Sequence, residues 1–188
     1  LGASTIDANA ALTVEDSIGS SNAIEALEIG GTTTLKGAVN TITATTFTAD
    51  NILNISGAVA QTLTSTITAT NEQGELNIVN ATTLVTIAGT VGAEAARLKE
   101  VDIADNATTT FSNAVFALAL DVNTAATADV TTWTIGNVIG DDGTLGGTMN
   151  VAGGTFVLDT AVVDGTTVFD TKEVVATDAG VELRALVI

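Results

Sequence analysis

The residues of this chain that suggest a specific chemistry are acidic. Asp141 and Asp142 lie side by side in the sequence Gly-Asp-Asp-Gly-Thr-Leu-Gly-Gly at residues 140–147. Carboxylate and carbonyl oxygens are the ligands that Ca²⁺ prefers, so the segment predicts a Ca²⁺ site. The segment matches neither an EF-hand loop nor the tandem nonapeptide of Ca²⁺-binding β-rolls, and a plain turn is the alternative interpretation. No other cofactor is suggested.

A thermal melt tests the Ca²⁺ prediction. A ligand that binds only the folded state stabilises it, so the midpoint is expected to fall when a chelator is added. An unchanged midpoint would exclude a structural Ca²⁺ site at Asp141 and Asp142.

Catalytic chemistry has little support in the sequence. There is no His and no Cys, which excludes Ser-His and Cys-His nucleophiles. A general acid needs an apolar pocket that raises its pKa, whereas the paired carboxylates lie in predicted polar turns. We therefore predict that the protein is not an enzyme. The pairs concerned are Asp141/Asp142, Glu15/Asp16 and Asp102/Asp105.

The charge balance restricts the partners. There are 22 acidic residues against 5 basic ones, a formal net charge of −17. This charge argues against nucleic acid as a partner, because binding to phosphates needs basic residues, and against an anionic membrane surface. No stretch approaches the ~20 apolar residues of a membrane-spanning helix. Glycans remain a candidate partner, although aromatic residues, which would form a glycan platform, make up only 3% of the chain.

The elements that must position these residues are predicted to be β-strands. The chain has no Pro and is rich in Thr, Val and Ile; these β-branched residues favour pleated strands. Short alternating segments separated by Gly and Asn predict many strands, among them residues 33–35, 52–55 and 84–87. Residues 93–99 are the one segment with a helical composition and predict a short helical excursion.

Internal repetition predicts how the strands are arranged. One phrase, apolar-polar-apolar followed later by Asn-Ala-Thr-Thr, occurs at residues 76–91 and again at 101–115, with a looser copy at 27–39. A corner motif, apolar-x-Gly/Asn-small-Val, begins at residues 35, 55, 87 and 111, at intervals of 20, 32 and 24 residues. Repeats of this length are typical of solenoids. Its Gly and Asn are expected to supply positive φ.

The fold class predicted is therefore all-β, an irregular parallel β-solenoid-like stack. A β-sandwich or jelly-roll is the alternative, because it also uses short strands and frequent turns. Asp-Gly pairs at residues 142–143 and 164–165 predict hairpins in the C-terminal part. We expect a β-strand-repeat region at residues 1–128 and a hairpin-rich region at 129–188, or one continuous domain.

The terminal strands are the predicted self-association site. Residues 4–14 alternate, with an apolar residue at every second position, and so does the last strand, whose two faces both become apolar at its end. Edge strands usually carry charge or Pro as protection against pairing, whereas these strands have an apolar face. We predict that a terminal strand completes a neighbour's sheet, producing a homo-oligomer or polymer. The predicted contact residues are Ile6, Ala8, Ala10, Leu12, Val14, Val181, Leu183, Ala185 and Val187.

The corner motifs and the two Asn-Ala-Thr-Thr phrases give the chain a resemblance to known proteins. Roughly residues 24–125 resemble the passenger repeats of bacterial autotransporters, especially the surface-layer autotransporters of rickettsia-type bacteria. The Thr- and Ala-rich, Cys-free composition is also similar to secreted S-layer proteins of Gram-negative bacteria. The resemblance implies an extracellular, surface-exposed β-solenoid that forms a coat, S-layer or filament. An adhesin or glycan-binding surface module is the alternative function.

Overall fold

The structure is a computed structural model in which part of the chain is described. The backbone is described for residues 4–70, 72–80, 83–93, 96–104 and 106–122, and for the strands between residues 127 and 187. Side chains are described as far as residue 118. All statements below refer to these residues.

Every named strand pairs in parallel with strands of neighbouring coils, so the chain forms a β-solenoid as predicted. Paired residues in adjacent coils are 18 to 25 positions apart, as in Ala26 with Ala44 and Glu75 with Glu100. Parallel strands are about 4.8 Å apart, so each coil advances the stack by that distance.

The register of the strands divides each coil among three columns. The first column contains β1 (Thr5–Ala8), β3 (Ile24–Ile29), the ends of β5 (Val39–Phe47) and β7 (Gln61–Ala69), the starts of β12 (Val115–Val122) and β14 (Trp133–Ile139), β16 (Thr155–Leu158) and β19 (Glu173–Ala176).

The second column contains β2 (Leu12–Val14), β4 (Thr33–Leu35), β6 (Ile52–Ile55), β8 (Gln73–Ile78), β10 (Leu98–Ile103), the ends of β12 and β14, β17 (Val162–Val163) and β20 (Glu182–Leu183). The third column contains the starts of β5 and β7, then β9 (Leu84–Ile87), β11 (Thr108–Phe111), β13 (Thr127–Val130), β15 (Thr148–Ala152), β18 (Thr166–Asp170) and β21 (Leu186–Val187).

Four strands run round a corner from one column into the next. The register of β5 shifts between Thr41 and Ala44, and that of β12 between Ala117 and Ala119. Because β5, β7, β12 and β14 join columns in this way, the pairing is continuous as one ten-stranded and one eleven-stranded sheet.

The core lies inside the coils and is filled by stacked aliphatic side chains. Leu53, Leu76 and Val101 are in register in the second column, and each is fully buried. Burial of such a side chain contributes roughly 1.5–3 kcal/mol. The strict inside–outside alternation of most strands explains why the pattern predicted them, including the bounds of β4, β6 and β9.

The uneven spacing of the corner motif has a geometric cause. The copies that begin at Leu35 and Ile55 lead from the second column to the third, whereas those that begin at Ile87 and Phe111 lead from the third to the first. The interval of 32 residues is therefore one coil plus one further side. The two copies of the longer phrase stack directly, since Leu76 pairs with Val101.

The glycines of this motif serve close packing and not positive φ, contrary to the prediction. A Cβ at Gly37 would lie 2.4 Å from the backbone nitrogen of Ser17, and one at Gly57 would lie 2.5 Å from the carbonyl oxygen of Lys36. Positive φ among the described residues occurs instead at Gly19, Gly74, Gly92, Glu72 and Asn106.

Two predictions about local structure are wrong. The strands that flank residues 142–143 and 164–165 do not pair with each other but pair in parallel with other coils, so they are not hairpins. Ala93 and Ala96 exchange backbone hydrogen bonds of 3.1 and 3.0 Å, and β10 begins at Leu98, so the described part of 93–99 is not helical. The predicted boundary between residues 128 and 129 falls within the strand β13 (Thr127–Val130), which continues the third column by pairing with β11 and β15.

Candidate self-association site

The first coil leaves a row of backbone groups open. Among the described strands, β1 pairs only with β3 and β2 only with β4. Leu12 donates its N–H to Thr32 (3.0 Å), and the carbonyl of Val14 accepts from Lys36 (2.9 Å). Because successive residues of a strand direct their N–H and C=O groups to opposite sides, those of Thr13 face the outer edge.

The same coil also exposes the end of the apolar core. Ile6, Leu12 and Val14 are half-buried and pack on the core cluster. The residues in register one coil further in are fully buried, as in Leu27 below Ile6 and Leu35 below Val14. Ile6 and Val14 are more exposed than Leu27 and Leu35 because no described coil covers the outer side of the first coil.

The predicted N-terminal contact residues occupy two strands and a corner. Ile6 and Ala8 lie in β1, and Leu12 and Val14 lie in β2, whereas Ala10 is exposed in the bend between them. The single strand predicted over residues 4–14 is therefore interrupted. Alternation could not reveal this corner, because Ala10 continues the apolar period.

The opposite end of the stack is formed by β19, β20 and β21. Each of these strands pairs on one side only among the described strands: β19 with β16, β20 with β17 and β21 with β18. Leu183 lies in β20 and Val187 in β21. Val181 and Ala185 lie outside the described residues.

Acidic residues stack in register on two sides of the solenoid. In the first column Asp7 pairs with Glu28, and in the second column Glu75 pairs with Glu100. Like charges on directly neighbouring strands are destabilising, and at these positions the solenoid repels another anionic surface.

Two exposed ion pairs partly compensate the negative charge of the chain. Lys36 Nζ lies 2.9 Å from a carboxylate oxygen of Glu15, and Lys99 Nζ lies 3.1 Å from one of Asp50. The hydrogen bond from Lys99 to Asp50 raises the pKa of the Lys99 ammonium, and the charge of Asp50 raises it further. Glu15, one of the paired carboxylates considered for catalysis, therefore has a structural partner in Lys36.

A buried polar cluster lies where the second column leads into the third. Asn40, Gln61 and Asn80 come from three successive coils and are each at most 3% exposed. Asn80 Nδ2 donates to the carbonyl of Val59 (2.9 Å) and to Thr83 Oγ1 (2.8 Å). This cluster was not predicted from the sequence. The signal for it was the polar side chain of Gln61 at a position where the alternation of β7 places side chains inside the coil.

The predicted Ca²⁺ residues, Asp141 and Asp142, lie outside the described residues. Within the described part of the chain, no group of three acidic, His or Cys side chains has an arrangement that would hold a metal ion. The same part contains no helix that is long and apolar enough to span a membrane.

Comparison with known proteins returned no relatives. No protein family, curated protein or solved structure matches this chain.

Proposed function

We propose that the chain is a non-enzymatic structural protein of a bacterial cell surface, whose copies associate end to end to build a filament, coat or S-layer. The observation that carries the proposal is the open edge of the first coil. There, backbone groups of β1 and β2 that have no partner among the described strands lie beside the half-buried side chains of Ile6, Leu12 and Val14. The resemblance of residues 24–125 to surface-protein repeats supports the location.

The two ends of the stack are complementary in their backbone hydrogen-bonding groups. The described strands run parallel and follow chain order, so the outer edge of β1 and β2 offers the backbone groups with which a preceding coil would pair. The outer edge of β19, β20 and β21 presents what a following coil would pair with. A second copy in the same orientation therefore continues the columns. Such a head-to-tail contact does not close and produces a filament.

Charge substitutions at the first coil test the proposal. In the double variant Leu12→Lys/Val14→Lys, ammonium groups would have to be buried against the neighbour's last coil, which is strongly unfavourable without partners. We expect this variant to remain monomeric under negative-stain electron microscopy and sedimentation, where the unmodified protein forms filaments.

The matched control is Thr13→Lys, which lies between the two substituted residues and is exposed. Its side chain points out of the coil, so the variant should still form filaments. Filaments that persist with Leu12→Lys/Val14→Lys, or an unmodified protein that stays monomeric at high concentration, would contradict end-to-end association.

Deletion of the residues before Ser17 is a less informative test. It would remove β1 and β2 but expose β3 and β4 as a new open edge. Leu27 and Leu35 would then occupy the position that Ile6 and Val14 hold now. Substitution within the existing edge keeps the number of coils constant and avoids this ambiguity.

A further inference from the structure

From β5 to β11, the outer surface of the third column is a continuous array of uncharged side chains, which we name the threonine face. Its strands are in register, so Thr62, Thr86 and Thr110 form one line across three coils. Across the four described strands, the outward residues are Val39, Thr41, Thr62, Thr64, Leu84, Thr86, Thr108 and Thr110.

This face differs in charge from the second column and from the first two coils of the first column. The second column carries Glu75 in register with Glu100. The first two coils of the first column carry Asp7 in register with Glu28, and that line continues into the uncharged Thr46 and Thr68. The described outward residues of the third column include no acidic residue, in a chain with a net charge of −17. The first acidic residue in the line of Thr110 is Asp129.

Exposed apolar side chains concentrate at the same place. The described residues include four large hydrophobic side chains that are exposed, by 44–52%. Val39 and Leu84 belong to the threonine face, and Val59 and Val79 lie on the corner that leads into it. Contiguous exposed apolar residues mark interaction surfaces.

We infer that the threonine face is a lateral interface between two copies of this chain. The charge distribution identifies the occupant. Two copies that meet through the second column, or through the first two coils of the first column, bring stacked carboxylates together, whereas two threonine faces bring none. Like-charge contacts at an interface cost several kcal/mol, so a chain this acidic can accept its own copy on the threonine face. The ends of β5 and β7, in the first column, are also uncharged, but they carry none of the exposed large hydrophobic side chains. A two-fold axis through the face would make the contact self-complementary.

The size of the face predicts a weak contact that polymerisation strengthens. Four strands about 4.8 Å apart and four residues long cover roughly 250 Å², against roughly 800 Å² per partner in a typical stable complex. Linked copies multiply such contacts. The biological role of this interface rests on the proposed self-association, because lateral contacts would join end-to-end filaments into a sheet. The experiment that tests the interface needs no polymer.

Single-cysteine cross-linking detects a weak pair, and the chain has no Cys of its own. Thr86→Cys places a thiol in the middle line of the face, and Asn77→Cys places one on the acidic second column; both residues are half-buried. Both variants are made in the Leu12→Lys/Val14→Lys background, which blocks the ends. With a short bis-maleimide, we expect covalent dimers to form about tenfold faster for Thr86→Cys than for Asn77→Cys.

A third variant shows whether the face itself causes the difference. Leu84→Glu, added to Thr86→Cys, places a carboxylate on the face at an exposed position, and the dimer yield should fall to that of Asn77→Cys. Equal rates for the two thiols, or no effect of Leu84→Glu, would overturn the inference. Failure of the filament experiment alone would leave these rates unchanged, so the two proposals fail separately.

Discussion

Replacement of Gln61 by Leu is expected to lower the free energy of unfolding by about 2–4 kcal/mol. Gln61 is 1% exposed and connects three coils. Its Nε2 donates to the carbonyls of Leu35 (3.0 Å) and Gly37 (3.2 Å), and its Oε1 accepts from the N–H of Gly57 and from Asn80 Nδ2. Leu is similar in size but makes none of these four hydrogen bonds. The N–H of Gly57 would keep no described partner, which costs about 1–3 kcal/mol. The carbonyls of Leu35 and Gly37 would still accept from the N–H of Ser56 and from Asn40 Nδ2, and Asn80 Nδ2 would still donate to Val59 and Thr83, so each of these groups loses one bond of about 0.5–1 kcal/mol.

The control for this variant is Gln73→Leu. Gln73 is half-buried at the start of β8, and a surface change of this kind alters stability by about 0.5 kcal/mol or less. Urea unfolding followed by circular dichroism compares the two, with the midpoint as the measured quantity. If both variants unfold at the midpoint of the unmodified protein, the buried amides do not stabilise the stack.

The strands and the class of fold were predictable because they depend on local alternation. The bounds of β4, β6 and β9 follow from apolar residues at every second position, with Gly or Asn nearby. The division into three columns was not predictable, because the same corner motif serves two different corners. The pairing of Val91 with Ile67 and with Val115, both in the first column, distinguishes the corner after β9 from the corner after β4.

Non-local pairing also overrode local preference. Residues 93–99 have a helical composition, yet Leu98 pairs with Gln73 on one side and Ala117 on the other. An isolated helix of seven residues is unstable in water, whereas a strand between two formed strands gains hydrogen bonds on both edges. The candidate end site was also predicted from local alternation. Alternation does not reveal a corner, so it did not predict that Ala10 lies in the bend between β1 and β2.

Replacement of Gly89 by Ala is expected to destabilise the protein by about 3 kcal/mol or more. A Cβ at this position would lie 1.6 Å from the carbonyl oxygen of Ser65 and 2.3 Å from its carbonyl carbon. Both are backbone atoms of the preceding coil, so no side-chain rotation relieves the overlap. The coils would have to separate, which strains the neighbouring hydrogen bonds from Ala88 to Leu63 (2.8 Å) and from Gly92 to Ile67 (2.8 Å).

The position one coil further on supplies the control. Ile87 pairs with Phe111, so Asn113 occupies the place of Gly89 and already carries a Cβ. Asn113→Ala removes one hydrogen bond, from Nδ2 to the carbonyl of Ala88 (2.6 Å), and should cost about 1 kcal/mol. Comparable urea midpoints for Gly89→Ala and Asn113→Ala would contradict the close approach of the coils at residue 89. A clearly lower midpoint for Gly89→Ala would support packing against the preceding coil as the reason for glycine at this corner, because its φ is not positive.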